Sequence, residues 1–113
     1  MVRKYIPKQG DVVLLDFNPI KGHDQSGFRP AVVISNNVFN KNTKMVIVCP
    51  ITSNEKEFPT HYRLEDTKKV QGSVLCEHVR SIDYEIRNLR FVEELSDNDL
   101  LSIVTLINAC IEE

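Results

Sequence analysis

Residues 22–35, with the sequence GHDQSGFRPAVVIS, join a polar loop to one of the most apolar segments of the chain. Gly22 and Gly27 bracket the loop and allow backbone conformations with positive φ. Pro30 cannot donate a hydrogen bond within a sheet and holds the preceding Arg29 in an extended conformation, so we expect a strand to begin here. Functional groups often lie where a loop meets a rigid element, which makes this junction the first candidate for a site.

The side chains at this junction suggest a phosphate partner. Arg29 carries a permanent charge, and a guanidinium group can bind two phosphate oxygens at once. The loop before it supplies His23, Asp24, Gln25 and Ser26, whose side chains donate, accept or carry protons. The junction is therefore predicted to bind a phosphate group and to move protons.

Short apolar segments separated by polar turns recur along the rest of the chain. The predicted strands are residues 12–15, 31–35, 45–49, 61–64, 72–76 and 79–84. Repeated strands of this length indicate a small β-barrel, here over about residues 9–92. The polar residues 36–44 are predicted to form a hairpin connection, and Pro50 is predicted to interrupt the third strand with a bulge or a sheet edge.

One α-helix is predicted at the C-terminal end, over about residues 97–111. Ser96 is a good N-cap, and Asp99 three positions later completes the pattern of a capping box. The polar residues within the helix form one narrow stripe: Ser102, Thr105 and Asn108. A helix that packs through one face should have a wider polar half. We therefore expect its second face to be covered, either by a partner chain or by loops of the same chain.

The composition suits one soluble domain, residues 1–113, because 42% of the residues are hydrophobic. Residues 1–92 hold all 14 Lys and Arg residues but only 10 of the 16 acidic residues, whereas residues 93–113 hold the other six acids and no base. This distribution predicts a surface that binds a polyanion, placed away from the last helix. The alternative is that the late acids only complement a helix N-terminus.

No targeting or membrane segment is evident, because no apolar run approaches membrane-spanning length. Cys49, Cys76 and Cys110 are odd in number and widely spaced, which favours buried, reduced thiols over a disulfide framework. Cys76 and His78 are close in sequence but lack further ligands at metal-binding spacing. We expect a cytoplasmic protein with no membrane partner, no metal and no cofactor.

Four segments together resemble a known family. They are residues 22–27, GHDQSG; 29–33, RPAVV; 50–53, PITS; and 77–83, EHVRSID. Their order and spacing are similar to those of the MazF/PemK toxins, the ribonucleases of bacterial type II toxin–antitoxin pairs, from about Ile6 to the final helix. The resemblance implies a PemK-type, SH3-like barrel with a C-terminal helix that forms a homodimer. It also implies cleavage of single-stranded mRNA at short sequences, and a cognate antitoxin whose acidic segment occupies the RNA groove.

The resemblance also implies roles for particular residues. Arg29 and Thr52 match the two positions most often assigned to catalysis in the MazF branch, and Asp24 matches a Glu in many relatives. In the PemK branch an Arg stands two positions before the carboxylate that aligns with Glu77. Leu75 occupies that position here, so the acid–base pair of that branch is not carried over.

The chemistry of RNA cleavage agrees with these roles. Without a metal, the 2′-hydroxyl attacks the neighbouring phosphate and leaves a 2′,3′-cyclic phosphate and a 5′-hydroxyl, so the protein must stabilise the phosphoryl oxygens and move protons. Arg29 and Thr52 suit the first task. Asp24, His23, Glu77 and Arg29 are all candidates for the second, and the sequence does not choose among them.

The predicted RNA-binding residues are mostly polar or basic, with one aromatic ring for stacking. They are Lys21, His23, Gln25, Phe28, Ser53, Lys56, Glu77 and Arg80. For Glu77 and the adjacent His78, a salt bridge at a strand end is the alternative. For the whole chain, the alternative is a non-enzymatic module on the same barrel, either a nucleic-acid-binding SH3-like domain or a toxin of the gyrase-poison type.

Overall fold

A computed structural model describes residues 5–16, 28–54 and 56–112, which form seven strands and two helices. The strands are β1 (Asp11–Asp16), β2 (Phe28–Val33), β3 (Met45–Thr52), β4 (His61–Arg63), β5 (Ser73–Leu75), β6 (Arg80–Asp83) and β7 (Arg90–Glu94). The helices are α1 (Asn37–Thr43) and α2 (Asp97–Ile111).

The strands form one antiparallel sheet in the order β4-β5-β3-β2-β1-β7, with β6 paired to β3 off this path. Over the described residues β4 and β7 stand at the two ends, so the sheet is barrel-like but not closed. The predicted fold class, mainly β with a C-terminal helix, is confirmed.

The long strand β3 is central because it has three neighbours. It pairs with β2 on one side, and on the other with β6 over residues 45–48 and then with β5 at Ile51 and Thr52. Pro50 lies where β6 ends and β5 has not yet begun, a place where a missing N–H costs the sheet little. The strand continues through Pro50, so the predicted interruption is wrong, whereas the predicted sheet edge is present locally, between β6 and β5.

Alternate residues of the strands build two apolar clusters, one on each face of the sheet. The helix-face cluster packs under α2 and contains Val12, Val32, Cys49, Ile51, Val74, Cys76, Ile103 and Ile107. The opposite-face cluster contains Val13, Leu15, Ala31, Val33, Val46, Val48, Ile82 and Tyr84. The strand β6 contributes Ile82 to the opposite-face cluster and pairs only with the first half of β3, residues 45–48.

Residues 37–43 form the helix α1, not the predicted hairpin connection. The side chain of Asn36 caps the helix by accepting a hydrogen bond from the backbone N–H of Phe39 at 2.8 Å. Asn40 is fully buried and donates to the carbonyl of Pro7 at 2.9 Å. The asparagines that suggested a turn are thus a helix cap and a buried anchor, and Lys44 ends the helix with a φ of 58°.

The edge strand β7 was not predicted. Its sequence alternates poorly and ends in two acids, which hides it from a search for apolar segments. It pairs with β1 across a bulge between Val12 and Val13. The carboxylate of Glu93 accepts hydrogen bonds from the backbone N–H groups of residues 68–70 at 2.8–3.0 Å, and so attaches that loop to the sheet edge.

The helix α2 begins as predicted, because the hydroxyl of Ser96 accepts a hydrogen bond from the N–H of Asp99 at 3.0 Å. Asp99 itself does not complete a capping box. It is fully buried, and its carboxylate accepts from the Tyr62 hydroxyl at 2.6 Å and from the N–H groups of Glu65 and Asp66. Burial and this hydrogen bond raise the pKa of Tyr62 to about 12. No described helix has the length and apolarity needed to cross a membrane.

The three cysteines are free, and two of them are buried. Burial raises the pKa of both Cys49 and Cys76 to about 12, so these thiols stay protonated at neutral pH. Cys110 is exposed, which contradicts the prediction for that residue. It lies in the last turn of α2, beyond Ile107, the last residue of the helix that belongs to the helix-face cluster.

Candidate active site

Arg29 and Thr52 line the same cavity, of about 440 Å³, between the start of β2 and the end of β3. Ala31 pairs with Pro50 in the antiparallel register, and continuing that register by two residues sets Arg29 opposite Thr52. Residues directly opposite in antiparallel strands present their side chains on the same face. The structure thus brings together the two residues that the sequence singled out for phosphate binding.

The Thr52 hydroxyl is oriented by a backbone contact. Its oxygen accepts a hydrogen bond from the N–H of Asn54 at 3.1 Å. A hydroxyl has one hydrogen to donate as well as lone pairs to accept with. This contact uses the oxygen as an acceptor, so the hydroxyl hydrogen can donate to a group that enters the cavity.

Gly72 allows β5 to lie close to Thr52. Its φ is 139°, and a Cβ atom built there would lie 2.3 Å from the carbonyl oxygen of Thr52. No other residue fits this position without moving the backbone. The neighbouring residue, Ser73, then pairs directly with Thr52 and extends the sheet away from the cavity.

A second cavity, of about 240 Å³, adjoins the first, since Thr52 and Leu75 line both. Glu77 lies in this second cavity together with His61, His78 and Lys56. Its carboxylate accepts a hydrogen bond from the Thr60 hydroxyl at 2.6 Å and lies 3.0 Å from Nε2 of His61 and 3.6 Å from Nε2 of His78.

These contacts determine the charge of Glu77. Partial desolvation acts to raise its pKa, but the hydrogen bonds from Thr60, from its own backbone N–H and from His61 outweigh that effect and hold the pKa below its ordinary value. The carboxyl is therefore ionised at neutral pH and cannot serve as a general acid there. His61 was not predicted as a site residue, because a single histidine at the start of a short strand carries no distinctive pattern.

The remaining predicted RNA-binding residues divide between the cavities and other places. Phe28 and Ser53 line the first cavity, and Lys56 lines the second. The Phe28 ring lies 5.3 Å from the guanidinium carbon of Arg90, a residue of β7 that was not predicted as part of the site. Arg80 begins β6 and is exposed, and it lines neither cavity.

Four predicted residues, Lys21, His23, Asp24 and Gln25, lie outside the described part of the chain. Their roles stay predictions. Among residues 5–16, 28–54 and 56–112, no group of three or more His, Cys, Asp and Glu side chains is placed to hold a metal ion. The described site therefore offers a guanidinium, hydroxyls, imidazoles and a carboxylate.

Comparison with known proteins places this arrangement in a family. A sequence model of the PemK-like, MazF-like toxins of type II toxin–antitoxin systems matches residues 8–111. The chain belongs to this family. The sequence is 34% identical over 111 residues to the endoribonuclease toxin MazF of Escherichia coli strain K12, covering 98% of this chain and 99% of that protein. This MazF-like chain is also 38% identical over 81 residues to the endoribonuclease MazF of Staphylococcus saprophyticus, covering 67% and 68%.

Solved structures of MazF-like toxins have the same fold. MazF from Deinococcus radiodurans superposes with a TM-score of 0.83 at 33% identity, covering 96% of this chain and 98% of that one. A MazE–MazF complex from the same organism superposes with a TM-score of 0.84 at 32% identity, covering 95% and 97%. The resemblance inferred from four sequence segments is thereby confirmed.

Proposed function

We propose that this MazF-like toxin acts as an endoribonuclease that cuts single-stranded mRNA, sequence-specifically and without a metal ion, in the cavity between β2 and β3. The observation that carries the proposal is the convergence of Arg29 and Thr52 on one cavity of about 440 Å³. A guanidinium and a hydroxyl donor are the groups that a phosphodiester needs when negative charge develops on its oxygens.

In the proposed reaction the 2′-oxygen of the RNA forms a bond to the adjacent phosphorus as it loses its proton. The bond from phosphorus to the 5′-oxygen breaks, and that oxygen takes up a proton. The products are a 2′,3′-cyclic phosphate and a 5′-hydroxyl. Arg29 binds the non-bridging oxygens, and Thr52, oriented by the N–H of Asn54, donates a further hydrogen bond.

Asp24 is our candidate for the residue that moves a proton, with His23 beside it. Glu77 is a poorer candidate for a general acid, because its lowered pKa keeps it ionised. Its contacts with Thr60 and His61 favour a role in orienting these two side chains beside the second cavity. The predicted binding residues Lys21, Gln25, Phe28, Ser53 and Lys56 would hold the strand on either side of the cut.

The test is cleavage of single-stranded RNA in excess EDTA, followed by mass spectrometry of the ends. We expect cyclic phosphate and 5′-hydroxyl ends, and a loss of about 100- to 1,000-fold for Arg29→Ala. Lys8→Ala is the control variant. It removes a charge near the other end of β2, where the N–H of Gly10 donates a hydrogen bond to the carbonyl of Val33, so it should cut RNA normally. Absence of cleavage in EDTA, or equal cleavage by Arg29→Ala, would refute the proposal. RNA retained intact, or stalled gyrase–DNA complexes, would favour the non-enzymatic alternatives.

We further propose a cognate antitoxin with an acidic segment, a homodimer, and a cytoplasmic location for one toxin domain over residues 1–113. The MazF of Deinococcus radiodurans has been solved with MazE, which supports the first. For the dimer, Leu101, Val104 and Ile111 form an apolar stripe along α2, and Leu101 and Ile111 are 69% and 73% exposed. Leu101→Lys should halve the mass seen by sedimentation, and an unchanged mass would contradict the dimer.

The proposed cytoplasmic location has separate support, because the free cysteines suit a reducing compartment.

A further inference from the structure

A row of four side-chain positions crosses the sheet from the candidate active site to its edge. Arg29 on β2 and Thr52 on β3 line one cavity, Thr52 pairs with Ser73 on β5, and Ser73 pairs with Arg63 on β4. Register partners share one face of a sheet, so the row has a cation at each end. Arg63 lies two strand spacings, about 10 Å, from Thr52.

A third cavity, of about 680 Å³, opens at the Arg63 end of this row, and it is larger than either cavity described above. Its walls include two cations, Lys56 and Arg63, and one carboxylate, Glu57. They also include Phe58, whose ring lies 5.1 Å from the ring of His61 at an angle of 42°. Phe58 is 50% exposed, so half of its surface is available to a ligand.

This third cavity is continuous with the candidate active site. Lys56 and His61 line both the third cavity and the second one, and Thr52 lines both the second cavity and the first. A flexible polyanion bound at Arg29 can therefore follow one path past Thr52 and His61 to Phe58 and Arg63. Of the ligands that carry both negative charge and flat aromatic groups at regular spacing, single-stranded RNA is the one that fits this path.

We propose that the third cavity is a nucleotide-binding subsite, in which Phe58 stacks on a base of the RNA and Arg63 and Lys56 bind its phosphate. The inference rests on the proposed function, because it places this subsite on the same strand that is cut beside Arg29. An unburied aromatic ring beside basic side chains is the usual arrangement for holding single-stranded nucleic acid. Phe58 and Arg63 thereby become binding residues that neither the sequence segments nor the Arg29 cavity indicated.

The first measurement compares two phenylalanines that are equally exposed. Phe58 and Phe91 are each 50% exposed, but Phe91 lies on β7 at the other end of the sheet. The probe is a single-stranded RNA that the wild-type protein cuts, with a 2′-fluoro group at the scissile nucleotide to prevent cleavage. Phe58→Ala should raise its Kd about tenfold, whereas Phe91→Ala should leave it unchanged. On cleavable RNA, Phe58→Ala should raise KM and leave kcat unchanged.

The second measurement separates stacking from charge. Arg63→Gln should reduce the slope of log Kd against log salt concentration by about 0.7, the contribution of one phosphate contact in a single strand. Phe58→Ala should not change that slope. Equal thermal unfolding temperatures for the variants and the wild type would show that the fold is retained.

The outcomes distinguish the inference from the function on which it rests. If the wild-type protein cuts RNA but Phe58→Ala and Arg63→Gln bind it normally, the subsite is wrong and the proposed function stands. If Phe58→Ala weakens binding of poly-L-glutamate but not of RNA, the third cavity serves an acidic protein segment and the inference is wrong. If the wild-type protein neither binds nor cuts single-stranded RNA, both proposals fail.

Discussion

The two halves of β3 lie in one strand and present alternate side chains to the same face, yet their surroundings are opposite. Val46 and Val48 are fully buried in the opposite-face cluster, where β6 contributes Ile82. Pro50 and Thr52, further along the same row, line an open cavity of about 440 Å³. The change coincides with the change of neighbour from β6 to β5. One strand thus contributes to both the core and the site. The half that pairs with β6 lies in the core, and the half that pairs with β5 lies at the site.

If this comparison is right, substitutions in the closed half should change stability, and those in the open half should change RNA cleavage. Three tests follow, in decreasing order of their expected effect on the free energy of unfolding.

The largest effect is expected for Val46→Ala. Val46 is fully buried in the opposite-face cluster, in the half of β3 that pairs with β6, so the substitution removes apolar contacts and leaves a cavity. We expect the free energy of unfolding to fall by about 2 kcal/mol, measured by urea denaturation. RNA cleavage by the protein that remains folded should be normal. A loss of less than about 1 kcal/mol would mean that the closed half is not the stabilising half.

An intermediate effect is expected for Glu93→Gln, at the edge strand β7. Desolvation acts to raise the pKa of Glu93, but the backbone N–H groups of Lys68, Val70 and Lys69 outweigh it and lower the pKa below its ordinary value of 4.5. A lowered pKa in the folded state means that the stabilisation is present above pH 4.5 and is lost as the pH falls through the folded-state pKa. Glu93→Gln should therefore unfold more easily than the wild type at pH 7.

The same variant supplies its own control at low pH. In thermal unfolding measured from pH 7 to pH 2, the difference between Glu93→Gln and the wild type should shrink below pH 4.5. A difference that stays constant over this range would show that the Glu93 carboxylate does not contribute through its charge.

The smallest effect on stability, but a large one on activity, is expected for Thr52→Val. The two side chains have the same shape, so the free energy of unfolding should change by less than about 1 kcal/mol. Cleavage of single-stranded RNA should fall at least about tenfold, because the hydroxyl donor is lost. Thr52→Ser keeps the hydroxyl and should retain most of the activity. Equal cleavage by the Val and Ser variants would remove Thr52 from the proposed mechanism.

Much of the fold and part of the site could be predicted from local patterns. The start of α2 at Ser96 needs only a capping residue and an apolar periodicity, and both are local. The choice of Arg29 and Thr52 as the phosphate-binding residues followed from the family-like order of four segments. The helix α1 was missed because Asn36 and Asn40 also suit turns, and only burial against Pro7 distinguishes the two structures.

Local patterns were enough to predict six of the seven described strands and the start of the last helix, and the chemistry of their side chains made Arg29 and Thr52 the apt pair for a phosphate. Alternation, proline position and capping act over a few residues and need no partner from elsewhere. Three features could not be predicted from local patterns: Asp99 is buried under Tyr62, Phe28 lies beside Arg90, and Phe58 and Arg63 share one cavity. These contacts join residues far apart in the chain, and strand order and register, which depend on the packing of the whole sheet, bring them together.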